Sequence, residues 1–292
     1  MRIATIQTES GIRSGIVTGS SGTLSLELFE TAADLRSLIG EGEITDLKRS
    51  RPAPFDSGRL LPPISNPGKL LCLAGNYREH IIESGYAAPE ATDIITPQVF
   101  LKPSTCLIAD GAEIPLSANN VAVGWEVELA VVIGRGGRNI ATADALDHVF
   151  GYTILNDISE RKLNSRIENR RKREVDGFFD WLAGKWFDGF APCGPWIVTA
   201  DEIPDPHSLG IRLFVNGELR QESSTGAMLF DVPAQIAYIS SITKLEAGDI
   251  IATGTPAGAG LGSGSKALKD GDEMLCEIDR IGSLRSRVKA VG

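Results

Sequence analysis

The sequence predicts an α+β fold dominated by short strands. Strand-like runs recur along all 292 residues, helical stretches lie between them without strict β-α alternation, and 32 Gly and 15 Pro residues supply the turns. A doubly wound sheet would show regular alternation of strand and helix, so the α+β class is favoured. With 42% hydrophobic residues, the chain is long enough to bury a substantial core.

Residues 1–66 are predicted to form a small, β-rich N-terminal domain that ends in a Pro-rich linker. Its strand-like runs are RIATIQT, GIRSGIVTG and TLSLELFE, and its helical stretch is AADLRSLIG. The linker is RPAPFDSGRLLPPISNPG, a segment rich in residues that break regular structure. Residues 67–292 are expected to form a second, larger domain.

In residues 67–292, predicted strands and helices precede a closing hairpin. The strands include KLLCLAG, QVFLK, WEVELAVVIG, GYTILND, WIVTADEI and DIIATGTP. The helices are NYREHIIESG, SERKLNSRIENRRKR and VPAQIAYISSI, and ATADALDH is an acidic helical stretch. In GIRLFVNGELRQE, the Asn216-Gly217 pair is typical of a type I′ hairpin turn.

The charge balance disfavours partnership with nucleic acids and membranes. The 29 Lys and Arg residues against 38 Asp and Glu give a net charge of −9, which repels phosphate backbones and anionic lipids. The first residues lack the apolar run of a signal peptide, and no stretch approaches the ~20 apolar residues of a membrane span. A reducing cytoplasm is therefore expected. The four cysteines form no C-x-x-C pair and are interpreted as buried thiols rather than zinc ligands: Cys72, Cys106, Cys193 and Cys276.

Two glutamates in G-W-E-V-E-L-A-V-V-I-G suggest a metal site. On a strand, Glu126 and Glu128 lie on one face about 7 Å apart, and two like charges on a partly buried face are unfavourable unless a cation lies between them. The alternative is a solvent-exposed strand face, against which the flanking apolar residues argue.

Asp157, at the end of the strand GYTILND, is the candidate for a third ligand. Alternatively, D-I-S-E is a capping box, in which Asp157 caps a helix and Glu160 reaches back. Three carboxylates describe an octahedral site for Mg²⁺, Mn²⁺ or Ca²⁺ rather than a zinc site.

His80 is the candidate base among three histidines. In A-G-N-Y-R-E-H-I-I-E-S-G, His80 and Glu83 fall three residues apart on one helical face, where a carboxylate can orient an imidazole and raise its basicity. The alternative is a surface ion pair. His148 is interpreted as structural and His207 as a surface residue.

Lys185 lies in the densest aromatic segment, FFDWLAGKWFDGF, which holds six of the 18 aromatic residues between Phe178 and Phe190. A partly desolvated lysine can stabilise a developing oxyanion. The alternatives are a lysine that extends over a core cluster and an oligomer interface. The basic run from Arg170 to Arg173 is interpreted as a solvated helix end.

The glycine-rich segment TGTPAGAGLGSGSK spans residues 253–266 and matches neither nucleotide-binding glycine motif. Nucleotide binding is therefore not predicted. The backbone amides and hydroxyls of Thr253, Gly254 and Thr255 could still hold a substrate carboxylate.

Taken in order, six motifs resemble the fumarylacetoacetate hydrolase family from about Lys69 to Val288. They are G-N-Y-x-x-H-x-x-E, F-x-K-P, E-x-E-L-A-V-V-I-G, G-Y-x-x-x-N-D, K-x-F-D-x-F-x-P-x-G-P and T-G-T-P-x-G. The resemblance implies a mixed β-roll core as the catalytic domain and a homodimer. One departure is the long charged and aromatic stretch from Asn164 to Leu182.

The resemblance also implies roles for individual residues. Mg²⁺ or Mn²⁺, with Ca²⁺ as a substitute in crystals, would be bound by Glu126, Glu128 and Asp157. His80 and Glu83 would form a water-activating dyad on a lid, and Lys185 would stabilise an oxyanion. The candidate substrate-binding residues are Tyr77, Gly254 and Thr255.

The expected activity is the metal-dependent hydrolysis of a C–C bond in a small 2,4-dioxo acid, an acylpyruvate or a diketo-deoxy-sugar acid. Such an acid can chelate a metal through its carboxylate and 2-oxo oxygen, and cleavage after attack by water releases pyruvate. Isomerisation or decarboxylation of a 2-oxo or 2-hydroxydienoate diacid is the alternative on the same site. A second alternative is a metal-binding protein without catalysis.

Overall fold

The structure is a computed structural model that describes residues 1–20, 23–42, 44–55, 57–90, 94–260 and 267–292. Within these ranges, 19 strands and four α-helices confirm the predicted α+β class. No described helix has the length and apolar content of a membrane span, and the longest has 11 residues.

The longer strands match the predicted runs, while the strand Glu113–Leu116 and the two-residue strands were not predicted. Their bounds are β1 (Arg2–Thr8), β2 (Gly11–Ser20), β3 (Thr23–Leu28), β4 (Ala53–Pro54), β5 (Leu60–Leu61), β6 (Leu70–Ala74), β7 (Gln98–Lys102), β8 (Leu107–Ile108), β9 (Glu113–Leu116), β10 (Val123–Gly124), β11 (Val127–Ile133), β12 (Val149–Asn156), β13 (Ser159–Glu160), β14 (Ala191–Thr199), β15 (Gly210–Val215), β16 (Glu218–Ser224), β17 (Ile250–Ala252), β18 (Glu273–Ile278) and β19 (Gly282–Ala290).

The four helices are α1 (Leu35–Glu41), α2 (Arg78–Glu83), α3 (Asp176–Ala183) and α4 (Val232–Ile242). Helix α4 spans the predicted VPAQIAYISSI because Asp231 caps it, accepting a hydrogen bond from the amide of Ala234. Helix α1 begins in the same way, at Asp34, and it ends at Gly42, which has a φ of 76°.

The largest sheet has the order β4-β3-β2-β1-β14-β12-β11-β17-β6-β7, with β5 and β8 paired at its side. The N-terminal strands join it through the antiparallel pair β1–β14, in which Arg2 lies opposite Val198. Residues 1–66 thus extend the sheet of the larger region, and the domain boundary after residue 66 stays a prediction.

The second sheet has the order β16-β15-β18-β19-β9, and β10 and β13 form a separate pair. The predicted type I′ hairpin joins β15 to β16, since both Asn216 and Gly217 have positive φ values, of 51° and 79°.

The predicted charged helix SERKLNSRIENRRKR is wrong. Its first residues form β13, turns follow, and α3 begins only at Asp176. The cause is long-range: the buried carboxylate of Glu160 accepts hydrogen bonds from the amides of Ala122 and Lys162, at 3.0 and 2.7 Å, and this holds the backbone out of a helix. The acidic stretch ATADALDH is helical as predicted, in the form of a 3-10 helix from Thr142 to His148.

The basic run from Arg170 to Arg173 is largely solvated, as predicted, but it lies in a loop before α3 and not at the end of a helix. The guanidinium of Arg170 donates to Asp180 at 3.0 Å and lies 3.4 Å from Asp176, so it ties the turn segment to α3.

Strand β11 is buried on both faces and separates two parts of the core. Val127, Leu129 and Val131 contribute to one apolar cluster, and Ala130 and Val132 to the other. Because side chains alternate along a strand, Glu128 shares the face of Ala130 and Val132. Glu126 lies just before β11 and only Glu128 is within it, so the predicted single strand is shorter than expected, but both glutamates lie in the interior.

Candidate active site

Three carboxylates meet inside the protein. Glu126, Glu128 and Asp157 are exposed by 4%, 1% and 1%, and each offers an oxygen within 4.8 Å of the others. The antiparallel pairing of β11 with β12 brings them together, because Val127 lies opposite Asn156 and the amide of Asp157 donates to the carbonyl of Glu126 at 2.8 Å. The solvent-exposed alternative for the glutamate pair is excluded by this burial. The capping alternative for Asp157 fails because β13, not a helix, follows it.

Three cations contact these carboxylates. The ammonium of Lys185 lies 2.7 Å from Glu126 Oε2 and 2.7 Å from Asp157 Oδ2. Lys102 donates to Asp157 Oδ1 at 2.7 Å, and the guanidinium of Arg161 donates to Glu126 Oε1. The sequence analysis assigned no role to Lys102 or Arg161. The sequence did contain an indication that Lys102 is buried. Side chains alternate between the two faces of a strand, so in QVFLK Lys102 lies on the same face as the buried Phe100.

The charges shift the acidities of these groups in opposite directions. Burial raises the pKa of Glu126, but Arg161, Lys185 and His80 lower it to about 2. Burial, Asp157 and Glu126 together raise the pKa of Glu128 well above its ordinary value. For Lys185, burial acts to lower the pKa, but Asp157 and Glu126 raise it overall, so the ammonium stays protonated.

The carboxylate cluster fits a hard divalent cation. Glu128 Oε1 is buried, with no hydrogen-bond partner among the described residues, although its neighbours carry negative charge. A carboxylate oxygen left in this state is costly unless a cation accompanies it. Carboxylate donors are those preferred by Mg²⁺, Mn²⁺ and Ca²⁺, so Glu126, Glu128 and Asp157 are suited to hold such an ion.

The loop after β17 supports the carboxylates through its glycines. Gly254 has a φ of 92° and donates its amide to Glu128 Oε2 at 2.8 Å, and a Cβ there would lie 2.7 Å from the Cβ of Asn76. Gly258, with a φ of 89°, donates to Glu83 Oε2 at 2.8 Å. Glycine is needed at both positions by conformation and by space. Residues 261–266 of the glycine-rich segment lie outside the described residues.

The predicted substrate-binding residues differ in what they offer. The Gly254 amide already donates a hydrogen bond to Glu128, and the Thr255 hydroxyl donates to the carbonyl of Val127 at 2.9 Å. The hydroxyl of Tyr77 is buried and has no hydrogen-bond partner in the described part of the chain. A role in substrate binding stays a prediction for all three, and Tyr77 retains an unused polar group.

Helix α2 carries the predicted dyad. His80 Nδ1 lies 3.7 Å from Glu83 Oε2, and the two side chains are 12% and 9% exposed, so the pair is not a solvated surface pair. His80 is also close enough to Glu126 to help lower the pKa of that carboxyl group. The charge of His80 is thus coupled to the carboxylate cluster. Asn76, just before α2, anchors this region by donating to the carbonyls of Thr253 and Phe230, at 2.7 and 3.0 Å.

The aromatic environment of Lys185 comes from two elements. Its ammonium lies 5.4 Å from the ring centre of Phe100 on β7 and 5.8 Å from that of Trp181 on α3. Phe178 and Phe179 are 58% and 55% exposed and form an outer surface instead. Lys185 is thus enclosed, but only part of the predicted aromatic segment encloses it.

The other two histidines lie in backbone contacts. His148 Nδ1 is 2.6 Å from the carbonyl of Arg135, which confirms a structural role. His207 Nε2 accepts the amide of Val232 at 3.0 Å, so this residue supports the start of α4 and is more than a surface side chain. The four cysteines are all buried and free, as predicted.

Comparison with known proteins identifies the family. The model of the fumarylacetoacetate (FAA) hydrolase C-terminal domain matches residues 69–289. The chain belongs to the fumarylacetoacetate hydrolase family. This family generally uses a divalent metal, in agreement with the carboxylate cluster.

Individual relatives of this family member carry different reaction names. The mitochondrial oxaloacetate tautomerase fahd2 of Xenopus laevis is 40% identical over 230 residues, which cover 78% of this chain and 68% of the relative. The crystal structure of 2-hydroxyhepta-2,4-diene-1,7-dioate isomerase from Mycobacterium marinum is 31% identical, with a TM-score of 0.78 over 100% of this chain and 99% of that one. The fumarylacetoacetate hydrolase from psychrophilic Exiguobacterium antarcticum is 33% identical, with a TM-score of 0.81 over 100% of both chains. These likenesses support an enzyme, while the predicted hydrolase reaction is not confirmed.

Proposed function

We propose that this family member is a divalent-metal-dependent enzyme that interconverts the keto and enol forms, or double-bond isomers, of a small 2-oxo dicarboxylic acid. The observation that carries the proposal is the buried cluster of three carboxylates and three cations around the unpartnered Glu128 oxygen. The tautomerase and isomerase names of the relatives support the reaction type.

The charge of the cluster favours an acidic substrate. When all three acidic groups are ionised, they balance Lys102, Lys185 and Arg161, so a bound divalent ion leaves a charge of +2. The pair of His80 and Glu83 adds at most one negative charge to this count. The site with its metal then carries a charge of +1 or +2, so an anionic substrate matches it better than a neutral ligand does.

The side chains suit proton transfer next to a 2-oxo group. A divalent cation held by Glu126, Glu128 and Asp157 would act as a Lewis acid that polarises the 2-oxo group. Lys185 holds its proton in a buried position and is suited to stabilise negative charge on an oxo oxygen as the neighbouring C–H proton departs. His80, with Nδ1 at 3.7 Å from Glu83 Oε2, is the group that would accept that proton and return it to carbon or release it to solvent.

Hydrolysis of a 2,4-dioxo acid with release of pyruvate is the second candidate. The closeness of His80 Nδ1 and Glu83 Oε2, at 3.7 Å, favours it, because such a pair can take a proton from water as well as from carbon. In this reaction, water would attack the 4-carbonyl group, the C–C bond would break, and Lys185 would stabilise the enolate of pyruvate.

A substrate panel with Mg²⁺ or Mn²⁺ separates the candidates. For tautomerisation, the ultraviolet absorbance of enol-oxaloacetate should decay faster with protein plus metal than with metal alone, without release of pyruvate. Hydrolysis predicts pyruvate from acylpyruvates in a lactate dehydrogenase assay, and decarboxylation predicts pyruvate together with CO₂ from oxaloacetate. If no reaction exceeds the rate with metal alone, the enzymatic proposal is wrong, and a non-catalytic metal-binding protein becomes the better interpretation.

We also propose a homodimer, while the cytoplasmic location stays a prediction. The exposed rings of Phe178 and Phe179 support association, because neighbouring apolar side chains on a surface often mark a contact region. Sedimentation velocity should give twice the chain mass of 31.2 kDa. A Phe178→Ser/Phe179→Ser variant then tests whether this surface takes part.

A further inference from the structure

The reaction proposed above makes no use of Lys102, although this lysine touches the carboxylate cluster. Lys102 is the last residue of β7, and its side chain is fully buried. Its ammonium donates to Asp157 Oδ1 at 2.7 Å and to the carbonyl of Ile158 at 3.2 Å. Burying a lysine away from water is unfavourable by itself, which points to a specific role for this side chain.

Lys102 and Lys185 hold different oxygens of Asp157. Lys185 bridges Asp157 Oδ2 and Glu126 Oε2, so it lies between two candidate metal ligands. Lys102 holds Oδ1 and uses the adjacent backbone carbonyl as its second acceptor. These contacts fix the rotation of the Asp157 carboxylate, with Oδ1 committed to Lys102 and Oδ2 directed towards Glu126.

The strand that carries Lys102 is itself held in position. Three strands lie between β7 and β12 in the sheet, a separation of about 19 Å if the sheet were flat, which exceeds the length of a lysine side chain. The contact with Asp157 therefore requires the sheet to curl. Phe100 packs against Trp181 at 5.1 Å between ring centres, and Trp186 donates to the carbonyl of Leu101 at 2.8 Å. Lys102 is thus anchored by the residues before it in the same strand.

We propose that Lys102 is a positioning residue, which orients Asp157 so that Oδ2 can serve as a ligand for the divalent metal. The inference rests on the proposed function only in taking Asp157 as a ligand, and it does not depend on the identity of the substrate. A role as a simple positive charge makes the opposite prediction. Removal of a nearby positive charge should then strengthen the binding of a divalent cation, whereas loss of orientation should weaken it.

Titration calorimetry with MnCl₂ on the purified full-length protein distinguishes these roles. Lys102→Met should raise the Kd for Mn²⁺ by about 10–100-fold, the range found when the support of a metal ligand is lost. Lys102→Arg keeps the charge but moves the donors, so it should also raise the Kd, by at least about threefold. Lys102→Arg also serves as the test if the Met variant fails to fold. Unchanged or tighter binding in both variants would overturn the proposal.

Lys69→Met is the matched control. Lys69 also pairs with a buried aspartate, at 2.8 Å from Asp249, but that carboxylate is held in addition by the amides of Lys69 and Glu246. We expect its Kd for Mn²⁺ to stay within about twofold of the wild-type value, even if its melting temperature falls.

A double-mutant cycle tests whether Lys102 acts through Asp157. In an Asp157→Asn background, the change Lys102→Met should alter the Kd by less than about twofold, because the ligand that it orients is already lost. An undiminished effect in that background would contradict the proposal. At saturating Mn²⁺, Lys102→Met should regain a kcat within about threefold of the wild type, since the defect is in metal binding.

The same titration keeps the two proposals apart. If the wild type binds Mn²⁺ but turns over no 2-oxo acid, the proposed reaction fails while the role of Lys102 remains measurable. If the wild type binds no Mn²⁺, both proposals are wrong.

Discussion

Glu128→Gln should affect the metal-free and metal-bound protein in opposite directions. In the absence of metal, burial and the charges of Asp157 and Glu126 raise the pKa of Glu128. A carboxyl group with a raised pKa contributes its full stability at pH values below its ordinary pKa of 4.5. That contribution is lost as the pH rises through the raised pKa. The glutamine variant cannot ionise, so at neutral pH the metal-free variant should melt at or above the temperature of the wild type.

With metal, the order reverses because the amide introduced by Glu128→Gln carries no negative charge. At a metal concentration of 100 times the wild-type Kd, binding adds about 2.7 kcal/mol to the free energy of unfolding. Loss of one ligand of three should weaken binding at least 100-fold, and the same concentration then adds only about 0.4 kcal/mol. At about 2 °C per kcal/mol for a chain of this size, the metal-induced rise in Tm falls from about 5 °C to about 1 °C.

Differential scanning calorimetry with and without MgCl₂ measures both effects, and Glu160→Gln is the matched control. Glu160 is equally buried, but its oxygens accept backbone amides, so its replacement should lower the free energy of unfolding by about 1–3 kcal/mol and keep the metal-induced rise. A rise of about 5 °C retained in Glu128→Gln would show that Glu128 is not a ligand. A metal-free Tm as low as that of Glu160→Gln would refute the argument from charge repulsion.

Three further outcomes are expected. His80→Ala should lower the proposed tautomerisation by about 10²–10⁴-fold, because His80 accepts the C–H proton, and should lower the decarboxylation of oxaloacetate less, in parallel steady-state assays; equal losses would argue against a role in this proton transfer. Lys185→Met should lower kcat by about 10²–10³-fold with little change in KM, whereas a change confined to KM would assign the lysine to substrate binding. The hydrogen bond from Arg170 lowers the pKa of Asp180 below its ordinary value of 3.8. Their pairing therefore stabilises the segment at pH values above 3.8, and this stabilisation is lost as the pH falls through the lowered pKa. The protection factors for amide exchange in residues 164–183, corrected for the intrinsic pH dependence of exchange, should accordingly fall below about pH 4 in the wild type, and already at pH 7 in Arg170→Ala; equal protection in the two proteins at pH 7 would contradict this.

The sequence was sufficient where local patterns decide the structure. The capped helix α4, the hairpin turn at Asn216-Gly217 and the strands around Glu128 depend on neighbouring residues, and the spacing of Glu126, Glu128 and Asp157 follows from two such strands. These elements and the carboxylate cluster could therefore be predicted.

Long-range contacts account for what the sequence analysis missed. Residues 161–175 look helical by composition, but the buried carboxylate of Glu160 binds the amide of Ala122, 38 positions earlier. Lys102 reaches Asp157 only because the sheet curls. Arg161, which contacts Glu126, lies among many other charged residues, and nothing in the local sequence distinguishes it from them. The pairing of Arg2 with Val198 likewise has no local signal.

The pairing of β1 with β14 also bears on how the protein can be shortened. A chain that starts at residue 67 would lack β1, so β14 would lose its antiparallel partner at Ile197 and Val198 and expose an open edge there, although β8 would still pair with Ala191 and Pro192. Such an edge is a template for strand addition by another molecule. The family match begins at residue 69, yet a protein trimmed to that match should self-associate and precipitate. The first strands therefore cover an edge that would otherwise be open in the region matched by the family model.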